Sequence, residues 1–103
     1  MKYIKKFEEI NQGSPQEGDY VICISNNKTY DRFFRNRIGK IIKINIDLKY
    51  SYYDITFDNI PNMLYTRIIN GDRVIGLKID SIKYFSKDKE ELEQILITNK
   101  FNI

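Results

Sequence analysis

Between Glu17 and Asn59 the chain reads EGDYVICISNNKTYDRFFRNRIGKIIKINIDLKYSYYDITFDN, and this stretch does most to limit what the sequence can fold into. Three apolar runs rich in Ile, Val and Tyr, DYVICIS, RIGKIIKINI and SYYDITF, are separated by polar connections. β-Branched and aromatic side chains suit a pleated, partly buried surface. Strands this short are unstable as isolated pairs and need partners on one sheet. The stretch therefore predicts a mainly β architecture, a small barrel of about five strands.

Alternation assigns the faces. In the first run Tyr20, Ile22 and Ile24 share one side and Val21 and Cys23 the other, so both sides are apolar and the strand should be covered twice. In the second, Ile38, Ile42, Ile44 and Ile46 are in phase and Ile41 is the exception, while Gly39 predicts a bulge or sharp bend. The third sets Tyr53, Ile55 and Phe57 against Tyr52, Asp54 and Thr56. Further on, Asn70-Gly71 between two apolar runs predicts a hairpin of strands Leu64 to Ile69 and Asp72 to Leu77. A last brief strand is expected around Ile82 to Phe85.

Helices frame these strands. Tyr3, Ile4, Phe7 and Ile10 recur at spacings of three and four, giving a short N-terminal helical segment. From Ser86 onward, Ser86 or Asp88 can cap a helix, with Asp88, Glu90 and Glu91 in its first turn and Leu92, Ile95 and Leu96 as its apolar stripe. The 103 residues are expected to form one domain: an N-terminal segment over 1–16, the barrel over 17–86 and a C-terminal helix over 87–99.

No window reaches the roughly 20 apolar residues that cross a bilayer, and the N-terminus lacks the apolar centre of a signal peptide. Cys23 is the single cysteine, so no internal disulfide forms. These features point to a cytoplasmic protein with no membrane association.

Enzyme chemistry has little to rest on, and no cofactor or metal is expected. The chain has no His, the usual general base and a common metal ligand. Cys23 lies inside a core strand without a basic partner to activate it. Asp54 with Asp58, and Asp72 with Asp80, lack motif spacing and are read as solvated strand-end or turn residues. The five glycines are too scattered for a phosphate loop.

One constellation rises above this background. The net charge is only +3, but seven basic residues lie between Lys28 and Lys49 against two acidic ones. The eleven residues Asn26 to Asn36 carry three of them in a long excursion after the first strand, a length that is usually functional. Tyr30, Arg32, Phe33, Phe34, Arg35 and Arg37, followed by Lys40 and Lys43, offer cations beside aromatic rings. That combination suits a protein partner or, alternatively, RNA or single-stranded DNA stacked on the rings. In a third, structural alternative Phe33 and Phe34 turn inward and plug the barrel mouth. A second aromatic surface, Tyr50, Tyr52, Tyr53 and Tyr65, places Tyr52 among the candidate contacts.

Gly18, Asp19 and Val21 at the first strand, and Gly39, Ile41 and Ile44 in the second, resemble an SH3-like barrel of the KOW type over roughly residues 17 to 58. In that type a short, Gly-containing basic turn joins the first two strands, and here the eleven-residue excursion replaces it. Across its whole length the chain also resembles short proteins encoded by phages and other AT-rich genomes, a group that brings no activity with it. The resemblance implies a non-enzymatic SH3-like binding module. The expected ligand is a protein, a host factor if the gene is phage-borne, held by the excursion with Tyr52 alongside.

Overall fold

Strand β1 (Tyr20–Cys23) shows how the alternating pattern becomes architecture in the computed structural model, which describes residues 13–46 and 51–101. Its hydrogen-bonding edges are both occupied, by β2 (Gly39–Ile46) and by β6 (Ile82–Ser86), each antiparallel. Both faces are covered too. Val21 and Cys23 enter the main core, while Ile22 packs with Leu92 and Ile95 of helix α2 (Lys89–Phe101), with Tyr20 alongside. The expectation for this run holds through Cys23, where the strand ends and Ile24 becomes exposed.

The rest of the sheet follows from β2. It pairs with β3 (Ser51–Thr56), which pairs with β5 (Asp72–Leu77), which pairs with β4 (Arg67–Ile69). The order is β4-β5-β3-β2-β1-β6, six strands and entirely antiparallel, with β4 and β6 as its two edges. The hairpin forms at Asn70 and Gly71, both at positive φ (50° and 87°), the backbone that a two-residue turn of this hand requires. Strand β5 spans the residues expected of it, and β4 keeps only the last three of its own. A one-turn 3-10 helix (Ile79–Ser81) leads into β6.

Strand β2 departs from its expected phase. Ile41 pairs with Ile55 and Lys43 with Asp54, so Ile42 is an inserted residue without a partner on β3. The bulge lets Ile41 and Ile44 both face the core although they are three apart, while Ile46, in phase with Ile44 but at the end of the strand, is 84% exposed. Gly39 is not the bulge. A Cβ there would lie 2.5 Å from Ile55 Cγ2 and 2.7 Å from the Phe57 ring, so its missing side chain lets β2 cross closely over the core.

In β3 the inward alternation of Tyr53, Ile55 and Phe57 is as read, all three joining the main core. Asp54, on the opposite face, is wholly buried. It is not the solvated strand-end residue expected.

Helix α2 begins as its caps predicted. The Ser86 hydroxyl accepts from the Asp88 N–H and the Asp88 carboxylate from the Glu90 N–H, both at 3.0 Å. Leu92 and Ile95 bury the stripe. The expected N-terminal helical segment lies outside the described residues. Among those described, no helix is long and apolar enough to cross a membrane.

Candidate functional site

The excursion after β1 is not a loop throughout. Lys28–Phe34 forms helix α1, whose start is capped by the Asn27 side chain accepting from the N–H groups of Thr29 (3.0 Å) and Tyr30 (3.2 Å). Tyr30, Phe33 and Phe34, three and four apart, fall on one helical face. That face turns inward. The Phe34 ring stacks on Phe57 at 5.4 Å between centroids, and Phe33 meets Phe57 edge-on at 5.3 Å. Asn36, at φ 57°, then swings the chain out towards β2.

Burial of the aromatic face leaves the basic one outside. Lys28 and Arg32, four apart, stand on the exposed side, and the Arg37 guanidinium carbon sits 4.7 Å from the Phe33 ring centroid. Facing them is the segment between β3 and β4. Ile60 and Leu64 root it in the core, and Arg73 holds it in shape by donating to the carbonyls of Ile60 (2.6 Å) and Pro61 and to the Thr66 hydroxyl. The Tyr65 N–H donates to the Tyr30 hydroxyl at 3.1 Å and ties this segment to α1.

Between the two walls lies a cleft of about 520 Å³. Lys28, Arg32 and Arg37 supply its cations, Phe33 and Leu64 its apolar floor, and Met63, 78% exposed, its rim. Among the described residues, no carboxylate lines it.

The predicted residues divide accordingly. Arg32, Phe33 and Arg37 come together in the cleft. Phe34 is a core side chain at 1% exposure and Phe33 is buried as well, the inward arrangement of the structural alternative; Phe33 reaches the cleft as part of its floor. Tyr30 is occupied in holding the opposite wall. Arg35 turns to Asp31 at 3.7 Å. Lys40 and Lys43 are exposed on β2, on the face bearing Thr56 and Asp54, and neither lines the cleft.

Comparison with known proteins is brief. No family model, curated protein or solved structure matches the chain. The site therefore rests on its own geometry.

Tyr52 belongs to a second hollow of about 390 Å³ with Asn45, Ile46, Tyr65, Arg67 and Gly76. Below it the Asp54 carboxylate accepts from Asn45 Nδ2 at 2.6 Å and from the Arg67 guanidinium. Gly76 lies opposite Asp54 in the ladder, beside the Arg67 guanidinium. Among the described residues no three His, Cys, Asp or Glu side chains are grouped to hold a metal ion. Burial pushes the Cys23 thiol far above its ordinary value, so it carries almost no thiolate at neutral pH.

Sequence reading missed Pro61, Met63 and Leu64, the wall opposite α1. Apolar residues following the Asp58-Asn59 turn are a weak signal for a wall whose partner lies some thirty residues earlier. It also missed Asp54 and Arg67, because a bond across β5 depends on strand order.

Proposed function

We propose that this protein is a non-enzymatic binding module of SH3-like architecture that holds a protein partner in the cleft between α1 and the β3–β4 segment. The architecture is supported by the last strand returning to pair with the first, β1 lying between β2 and β6 in an open sheet. The resemblance of the first strands to KOW-type sequences supports it too, as does the likeness to short phage proteins for a host-interacting role in the cytoplasm.

The observation that carries the reading is the cleft itself. It joins an apolar floor to a charged rim on two walls held by internal hydrogen bonds, and such surfaces anchor protein side chains at interfaces. Nucleic acid is the weaker reading. Phe34 is buried, Phe33 is covered by Arg37, and Tyr30 is occupied, so no row of free rings is left for bases to stack on.

Site-specific photo-crosslinking tests it in cells that express the gene. A crosslinking residue at Met63 is expected to give discrete, nuclease-resistant protein adducts. One at Gln94, exposed on α2, is expected to give none. Nuclease-sensitive adducts, or equal labelling from both positions, would refute the proposal.

A further inference from the structure

We infer that the segment held in the α1 cleft is acidic and carries an apolar anchor: one or more Asp or Glu side chains beside a single large apolar residue. The inference rests on the proposal that the cleft binds protein, and it specifies the chemistry of what binds.

The distribution of arginines is the first argument. The chain has five. Arg35 pairs with Asp31, Arg67 with the buried Asp54, and Arg73 is used on the carbonyls of Ile60 and Pro61. Arg32 and Arg37 line the cleft and have no carboxylate partner among the described residues. Lys28 joins them from the first turn of α1, the helix that carries Arg32. Three cations thus face one hollow that no carboxylate among the described residues lines, although Arg37 also borders the neighbouring hollow of Asp58 and Glu93, and a carboxylate-bearing ligand complements that field.

The second argument is preorganisation. Arg37 lies over the Phe33 ring, which restrains its guanidinium while leaving its N–H edges for a ligand. A planar donor fork held this way matches a carboxylate better than a free lysine does.

The third argument is the floor. Leu64 is buried beside the cleft, the Phe33 ring there is overlain by Arg37, and Met63, 78% exposed at the rim, can adjust its side chain around an incoming group. A purely acidic polymer would leave that surface wet. One large apolar side chain would cover it.

The test is selection from a random-octapeptide display library on the immobilised full chain, repeated on the double variant Arg32→Glu/Arg37→Glu. Both arginines are exposed, so the variant is expected to melt like the parent. The expected pool is enriched in Asp and Glu together with one Leu, Ile, Met or Phe. Synthetic peptides from it should lose roughly tenfold in affinity on the double variant. A neutral or basic pool, a pool that binds both proteins equally, or no enrichment over bare support would overturn the inference. A non-acidic pool together with protein adducts at Met63 would sink only the ligand class; nuclease-sensitive adducts would sink the cleft reading as well.

Discussion

The Asp54 carboxylate, wholly excluded from solvent, meets the guanidinium of Arg67, which reaches it from the edge strand β4 across β5. The pair is lopsided: Arg67 is 49% exposed, Asp54 not at all. Losing the arginine strands a buried charge, whereas losing the acid leaves a cation that water can reach. We expect Arg67→Met to cost about 2 to 3 kcal/mol in urea unfolding, below the range for fully buried pairs because water screens its outer side. Adding Asp54→Leu to that variant should restore part of the loss. A double variant no more stable than Arg67→Met would show that the carboxylate is not the source of the cost.

Gly39→Ala should destabilise the sheet by about 1 to 3 kcal/mol, since the new methyl meets Ile55 and Phe57 well inside contact distance. Adding Ile55→Ala, which removes the colliding Cγ2, should give a double variant less destabilised than the sum of the two single changes. Urea denaturation of the two single variants and the double variant measures the coupling.

Cys23 should resist iodoacetamide in the native protein and react at the ordinary rate in urea. Its pH dependence has a definite sign. Because burial raises the folded thiol's pKa, its stabilising contribution is complete below the unfolded value near pH 8.5. That contribution falls as pH rises further, since only the unfolded chain then gives up the proton. Stability of wild type relative to Cys23→Val should therefore decline above about pH 8.5 and stay flat below it. Parallel curves across pH 7 to 10 would contradict this.

Binding to a labelled single-stranded oligonucleotide, followed by anisotropy across a salt series, should be weak. Its log-log slope should be no steeper than about −2, since three cations converge among the described residues. Lys43→Ala should leave that slope unchanged. A slope near −3.5 that shrinks on Lys43→Ala would join β2 to the site and reinstate nucleic acid.

What could be read before the structure was local. The faces of β1 and β3, the Asn70-Gly71 hairpin and the caps of α2 depend on residues within a few positions of one another. The inserted Ile42 was hidden because a bulge is set by the partner strand: Ile38, Ile42, Ile44 and Ile46 look in phase and Ile41 looks like the exception until it is placed against Ile55. Helix α1 was legible in principle, from Asn27 followed by Tyr30, Phe33 and Phe34, yet its charges read as loop. The cleft was only half visible, because its second wall comes from Pro61 to Leu64. Burial of Asp54 had no local signal at all.

The pairing of Val21 with Phe85 sets an order of events for a chain leaving the ribosome. While only the first three strands have been made, one edge of β1 is bare, and Ile22 has no cover until Leu92 and Ile95 arrive. Contacts so distant in sequence form late and slowly. Until then an apolar strand with a free edge is open to the wrong neighbour, and a stop codon anywhere before Ile95 would make that interval permanent.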